Sequence, residues 1–482
     1  MTDDPRPGQR PAEDAPAPTG LLGRVRAKLA GRDFLKNVLT LMTGTASSQV
    51  LMFVAMLFVA RLFTPTEYGV YALVMAAVQM VLPIALGRYE LAVVLPRRDN
   101  DARQLLRLGT VINVGVCLAV TVAMIFLAPW VASVMVDPTA ADAGQVETSL
   151  RSWLYAVGPI AFLMAQLVLM SYWLTRTKNF RQISQNKIFQ SASVSGMQIG
   201  TGLIGMGVSG LVLATIAGQA ASLLNLLSRT KGQYRIDGPA ASKGELAKRY
   251  IKMPTLNGPN ALVDAVRING INFMIGPRFS AAAVGQFGMA WRLLQAPMGL
   301  INAAISQVFF QRLANVRRGG MLRIVRQALV RSALIGVVPF TLIFLLAPWI
   351  LPLVLGQQWQ LAGDIARVLT PWLYLNFITS PISTVFVVVK RQFTMLLFSI
   401  AYMATPLTII ALGSPDLLRT MGWVAWGMAG LLVVFLGLAL LVSWQYDRGF
   451  GWTPEEDVED DTPDETVERA EQVVTEDDPL ER

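Results

Sequence analysis

Residues 62–74, LFTPTEYGVYALV, return at 278–290 as RFSAAAVGQFGMA without a gap, pairing Phe63 with Phe279, Gly69 with Gly285 and Tyr71 with Phe287. The likeness continues downstream. LAPW at 127–130 recurs at 346–349, WLY at 153–155 recurs at 372–374, and Arg107 falls opposite Arg326. Each identity alone is weak, but an ordered series at a spacing of 216 to 219 residues marks an internal duplication.

What is duplicated reads as membrane protein. Of 482 residues 53% are hydrophobic and only 15% charged, and the mean hydropathy is positive, which excludes a soluble multidomain protein. A window of about 19 residues gives about twelve apolar segments of spanning length, at 35–60, 68–95, 105–131, 151–174, 184–205, 208–228, 250–276, 284–310, 325–350, 366–389, 393–413 and 421–445. The fifth and sixth are parted only by Gly205, Gly207 and Gly210. An even number of spans per copy gives both copies the same orientation. The expected fold is therefore all-α and integral to the membrane, with two six-helix halves related by a pseudo-two-fold axis along the membrane normal. Such halves, rocking about a central site, are the build of an alternating-access transporter.

Loop charge sets the orientation. Cations gather in alternate loops, RRDNDARQLLR (97–107), RTKNFRQISQNK (176–187), the long 228–252 connection, QRLANVRRGGMLR (311–323) and KRQ (390–392), and in the N-terminal GRVRAKLAGRDFLK (23–36). The intervening loops carry few, and the one around Asp137, Asp142 and Glu147 is acidic. By the positive-inside rule both termini are expected in the cytoplasm. The divisions that follow are a cytoplasmic tail at 1–33, halves at 34–228 and 250–445 joined by a cytoplasmic linker at 229–249, and an acidic tail at 446–482. Both tails are too polar to fold. Residues 21–36 read equally as a basic amphipathic helix on anionic lipid or as a solvated topology signal.

Composition also removes whole classes of chemistry. The chain has no histidine and one cysteine, Cys117, in an apolar run, so His- and Cys-based metal sites, Ser-His-Asp hydrolysis and disulfide frameworks are excluded. No GxxxxGK[ST] phosphate loop is present. No catalytic residue, metal, cofactor or nucleic-acid partner is expected.

The stretch KNVLTLMTGTASSQVLMFVAMLFVARLFTPTEYGVYAL (36–73), followed by RYELAVVLPRRDNDARQLLRLG (88–109), resembles the polysaccharide-transport, Wzx-type flippase branch of the multidrug/oligosaccharidyl-lipid/polysaccharide exporter superfamily. The resemblance covers roughly residues 34–445 and is most specific in FTPTEYGVYAL and RYELAVVLP. It implies a non-enzymatic protein of the bacterial inner membrane. Such a protein moves an undecaprenyl-pyrophosphate-linked oligosaccharide from the cytoplasmic to the periplasmic leaflet for surface or exopolysaccharide biosynthesis. It also implies membrane lipids, a polysaccharide polymerase and a chain-length regulator as partners. A cation-coupled drug exporter of the same superfamily and a membrane glycosyltransferase or polymerase are the competing classes. The first would favour aromatic and acidic cavity residues, and the second would need larger outer loops than 132–150.

A pyrophosphate-bearing substrate needs cations inside the bundle. Arg88, Arg267 and Arg292 lie in apolar segments away from the loops, with Glu90 and Asp264 as available carboxylates. Under the 216-residue offset Arg88 meets Ala304, Glu90 Ser306, Asp264 Ser48, Arg267 Leu51 and Arg292 Ala76, so the fold tolerates neutral residues at those places. Asp264 and Arg267, three apart, can pair along one helix face, as a cavity site or as a structural pair. Arg88 and Glu90, two apart, would diverge by roughly 200° on a helix and need separate partners. Asn260 is a candidate sugar contact among Asn257, Asn260, Asn269 and Asn272 in the seventh span, where hydrogen bonds between helices are the other use of such amides. Pro254, Gly258 and Pro259 make that span the candidate hinge. GMQIG (196–200) fits a close helix contact.

Overall fold

The computed structural model describes residues 43–449 apart from 237, 315–318, 384, 387–388 and 390–391. The amino-terminal tail, the 21–36 segment and the acidic tail from 450 onward lie outside them, while 446–447, assigned to that tail, close the last helix. Among the described residues there are helices and turns but no strands. In chain order the helices are α1 (Thr43–Leu62), α2 (Pro65–Ala85), α3 (Asp99–Met135), α4 (Ala143–Leu154), α5 (Val157–Arg176), α6 (Phe180–Leu203) and α7 (Gly207–Arg229). There follow α8 (Lys243–Arg249), α9 (Gly258–Arg278), α10 (Ala281–Ala314), α11 (Met321–Leu355), α12 (Gln360–Thr379), α13 (Gln392–Leu412) and α14 (Leu417–Asp447). Seven of them, α1, α2, α3, α5, α7, α11 and α14, are long and apolar enough to cross a membrane. Helices α6, α9, α10, α12 and α13 fall on the other five expected segments and do not pass that test.

The repeat is visible atom by atom. Thr64 opens α2 as a capping box, its Oγ1 accepting from Glu67 N at 3.2 Å while Thr64 N donates to Glu67 Oε2 at 2.8 Å. Its counterpart Ser280 opens α10 by accepting from Ala283 N at 3.0 Å, so FTP and FSA are the same start signal, worth about 1 kcal/mol each. The two helices then cross at their repeated glycines. A Cβ at Gly69 would sit 1.8 Å from the Ala281 carbonyl oxygen, and one at Gly285 2.0 Å from that of Pro65, itself the counterpart of Ala281. Only hydrogen atoms fit, and the pseudo-two-fold axis passes between them.

Other contacts close the same end of the bundle. The Trp359 indole N–H donates to Ala60 O at 2.6 Å, Gln358 Nε2 donates to Ala60 O and Phe63 O, and Arg61 Nε donates to Val354 O at 3.1 Å. Across the axis Gly276, the counterpart of Ala60, packs where a Cβ would lie 2.6 Å from Met135 O. Exposed Trp130 and Trp349, the repeated tryptophans of LAPW, also belong to this far end, and the stripe Val111, Leu118, Ile125 on α3 is exposed as a lipid-facing row would be.

The basic connections lie at the opposite end. Arg176 Nη2 pairs with Asp99 Oδ1 at 2.8 Å. The 229–249 connection is fastened to the start of α3 through Arg103 Nε to Gln233 O (3.0 Å), and Ala241 N to Asp101 Oδ1 (2.9 Å).

Several boundaries differ from the sequence reading, each for a local reason. The segment 68–95 is not one helix: Gly87 (φ 54°) and Arg88 (φ 59°) turn left-handed after α2, and Tyr89–Val94 forms a separate 3₁₀ turn. The segment 151–174 is divided between α4 and α5, and 250–276 begins with a π-helical turn over Met253–Asn257. Helix α12 starts at Gln360 rather than 366, and a 3₁₀ turn, Ser380–Ser383, follows it. The break between α6 and α7 stands where its glycines put it, with Gly205 (φ 71°) and Gly207 (φ 56°) in the left-handed region. GMQIG is not a close contact: a Cβ on Gly196 or Gly200 would meet nothing, whereas one on Gly202 would strike Leu62 and Phe63.

Candidate functional site

Beneath the glycine crossing lies a cavity of about 460 Å³. Met52, Tyr71, Ala72, Met75 and Ala76 line it from α1 and α2, and their counterparts 216 residues on, Ile268, Phe287, Gly288, Trp291 and Arg292, line it from α9 and α10. The cavity therefore straddles the repeat axis. Arg292 donates through Nη1 to the Tyr68 hydroxyl at 3.3 Å, and Ala76 holds its mirror place. Among the lining residues there is no aspartate or glutamate.

The rest of the lining is one-sided. Gln190, Ser191, Val194, Ser195 and Gln198 from α6 and Thr215 and Gln219 from α7 complete the wall on the amino-terminal side. Gln198 Nε2 reaches the Tyr71 and Thr215 hydroxyls, each at 3.4 Å, and Gln190 Nε2 donates to Gln219 Oε1 at 2.5 Å. On the carboxy-terminal side Trp291, Trp372, Tyr402 and Phe398 pack ring to ring at centroid distances of 5.0 to 6.5 Å, closed by Trp372 Nε1 donating to the Tyr402 hydroxyl at 2.7 Å. Helix α9 adds Asn269 and Asn272, and Asn272 Oδ1 is buried with no hydrogen-bond partner.

Of the candidate residues, Arg292 alone is part of this lining. Asp264 and Arg267 do pair, at 3.2 Å between Oδ1 and Nη2, but outside it; the Asp264 side chain is 64% exposed and the guanidinium carbon lies 6.0 Å from the Tyr402 ring centroid. Asn260 is exposed one turn before Asp264, and Asn260, Asp264 and Ile268 recur every four residues, so they share the face on which Ile268 reaches the cavity. Pro254 sits in the π-helical turn, with Gly258 and Pro259 opening α9.

Arg88 and Glu90 correct the sequence reading. They satisfy each other, Nη1 to Oε1 at 3.3 Å, because the left-handed Arg88 removes the helical geometry that would have separated them. Glu90 is buried beyond the end of α2, and burial holds its carboxyl above the ordinary carboxylate range, against the opposing pull of a backbone hydrogen bond and of Arg88. Glu90 Oε2 and Arg88 Nε are buried without partners.

Lys187, the last residue of the basic stretch 176–187, is not among the residues that the sequence marks as candidates. It stands two turns inside α6, half-buried, four residues before Ser191 on the same face, and donates to Thr45 Oγ1 of α1 at 3.2 Å. The 3.6-residue spacing to Ser191, Ser195 and Gln198 was the available signal. Among the described residues no metal-holding cluster of carboxylates or Cys is present.

The profile of the family described as polysaccharide biosynthesis protein matches residues 58–363, more than half of the chain. The chain belongs to that family. Its fold is that of solved members of the MOP exporter superfamily. The lipid II flippase MurJ in an inward closed conformation superposes with a TM-score of 0.68 at 12% identity, over 84% of this chain and 87% of that one. An inward-facing multidrug resistance MATE transporter of the MOP superfamily gives 0.59 at 14% identity, over 83% and 96%. A MOP transporter from Pyrococcus furiosus gives 0.51 at 15%, over 85% and 96%. No curated protein matches the chain. The polysaccharide biosynthesis family member is thus a multi-pass membrane protein of transporter architecture.

Proposed function

We propose that this family member flips an undecaprenyl-pyrophosphate-linked oligosaccharide across the bacterial inner membrane, from the cytoplasmic to the periplasmic leaflet, by alternating access about the axial cavity. One observation carries the reading: the cavity on the repeat axis holds a half-buried arginine, Arg292, and, among the described residues, no carboxylate. An unneutralised guanidinium in a low-dielectric bundle selects an anion, and pyrophosphate offers the bidentate acceptor geometry that a guanidinium fits. A cation-coupled drug exporter would instead be served by an acidic wall. The solved flippase of the same fold is named for a lipid-linked substrate, which supports the same class.

In this reading the basic end is cytoplasmic, and the far end, shut by Gly69, Gly285 and Trp359, is the periplasmic gate. Asn260, Asp264 and Arg267 lie on the cytoplasmic approach, the Arg88–Glu90 pair fixes the turn beside it, and the π-helical turn with Pro254, Gly258 and Pro259 lets α9 bend as the halves rock. Replacing both prolines by alanine should slow transport at equal abundance; an unchanged rate would remove the hinge. The function itself is tested in a deletion strain. Lipid-linked oligosaccharide should accumulate on the cytoplasmic leaflet while the surface glycan disappears, and both should revert on complementation. Normal glycan export without the gene overturns the proposal.

A further inference from the structure

The cavity is duplicated in its axial walls and unduplicated in its flank. Five of the seven positions that α1 and α2 contribute have a lining counterpart on α9 and α10, Tyr68 and Gln79 being the exceptions, whereas α6 and α7 contribute seven lining residues and α12–α14, among the described residues, none. The amino-terminal flank is open and made of amides and hydroxyls, whereas the corresponding carboxy-terminal space is filled by the Trp291–Trp372–Tyr402–Phe398 stack.

The polarity of α6 is costly without a ligand. A bundle helix carrying Gln182, Ser184, Gln185, Asn186, Gln190, Ser191, Ser195 and Gln198 fails the apolarity expected of a spanning helix, and packing would be served by Leu and Ala. Some of these groups hold one another: Gln190 meets Gln219, Gln198 meets Tyr71 and Thr215, and Ser222 donates to Asn186. The hydroxyls of Ser191 and Ser195, both lining the cavity, make no hydrogen bond among the described residues, and across from them Asn272 Oδ1 is an orphaned buried acceptor.

We infer that Ser191, Ser195 and Gln198 on α6, with Asn272 opposite, form a subsite for the hydroxyl-rich sugar portion of the substrate, set beside the anion contact Arg292. Hydroxyl and amide groups each donate and accept, as a sugar does, so a wall of both matches sugar hydroxyls of either role. The Tyr71 and Trp291 rings supply flat apolar surface for the sugar's C–H faces, the usual mixture in a small-molecule site. The phosphate lies toward the carboxy-terminal half and the glycan toward the amino-terminal half, so the two halves read different parts of one ligand.

The inference rests on the flippase reading, and the test separates them. Purified full-length protein in lipid nanodiscs is titrated with two probes: undecaprenyl pyrophosphate, and the same lipid carrying the producing cell's own oligosaccharide. Wild-type protein should bind the glycosylated lipid more tightly. Ser191→Ala combined with Ser195→Ala should weaken that binding by about tenfold and leave undecaprenyl pyrophosphate unchanged. Gln198→Leu should do the same, and the serine pair, which changes little volume, guards against misfolding through an unchanged unfolding midpoint. Equal weakening of both probes, or none, overturns the sugar subsite alone. Failure of wild-type protein to bind either probe overturns the flippase reading and the subsite together.

Discussion

Helix α2 and its repeat counterpart α10 share a hydroxyl cap, a crossing glycine and four cavity positions in common register, yet α2 breaks at Gly87 while α10 runs on through positions 304 and 306, the counterparts of Arg88 and Glu90. Likewise α6, the fifth long helix of the chain, is polar, whereas the eleventh, α13, is apolar over Leu397–Leu412. The parts that stayed alike are those where the halves touch at backbone distance, since a side chain on either glycine would push both helices apart. The parts that drifted face the cavity or the basic end, where the two halves meet different chemistry.

The comparison breaks most sharply at Arg292. Arg292→Ala should reduce export by about a hundredfold or more, the scale of losing a charged partner in a desolvated site. The swap Ala76→Arg with Arg292→Ala, which moves the cation to the mirror position, should not restore it, because the amide flank would then lie on the cation's own side. Restored export of the surface glycan would show that the cavity works symmetrically.

The glycine crossing makes the opposite claim, that two positions in different sequence surroundings are equivalent. Gly69→Ala and Gly285→Ala should each destabilise the folded protein by about 1–3 kcal/mol, and by similar amounts, since each Cβ would meet a carbonyl oxygen. Thermal unfolding of the detergent-purified variants reads this, and tolerance at one site with collapse at the other would remove the symmetry argument.

Much of this architecture was legible in the sequence because backbone contacts leave short, ordered signatures: FTP and FSA are caps, and Gly69 and Gly285 are close crossings. The candidate site was less so. Arg292 stands out by its charge, whereas Ser191, Ser195 and Gln198 lie within the expected span 184–205, where uncharged polar residues carry no signal of which face meets a cavity, and periodicity separates Arg88 from Glu90 because it assumes an unbroken helix. Asp264 and Arg267 pair as their spacing requires, yet which face of α9 meets the cavity is set by tertiary packing that no local pattern records.

Smaller effects are expected at that pair. It is partly exposed, so breaking it should cost at most about 1 kcal/mol of stability. If Arg267 meets the substrate on its way in, Arg267→Ala with Asp264→Asn should be abundant and inactive. Recovery of both abundance and export in this double variant makes the pair structural, against the argument from its neutral counterparts Leu51 and Ser48, which show that the fold does without such a pair in the first repeat.

The least effect belongs to Glu90, where only α2 breaks. Its raised pKa means that the folded protein keeps a proton over a window in which the unfolded chain has lost it. Stability is therefore fully present below the ordinary carboxylate pKa of about 4.3 and falls as pH rises through the raised folded-state value. Glu90→Gln should flatten that slope in the unfolding midpoint, and an identical slope in the variant would place the titration elsewhere.

The polarity of α6 also bears on how the chain is built. The insertion machinery retains segments by their apolar content, and α6 alone offers little, while α7, joined to it by three residues at 204–206, qualifies on its own. The two are in extensive contact along their length, Gly218 against Val194 among them, so α6 enters the bilayer as the dependent arm of a hairpin with α7. The residues that line the cavity are thus the same ones that make this helix unable to enter lipid unaccompanied, and synthesis of α7 becomes the moment at which the site is committed to the membrane.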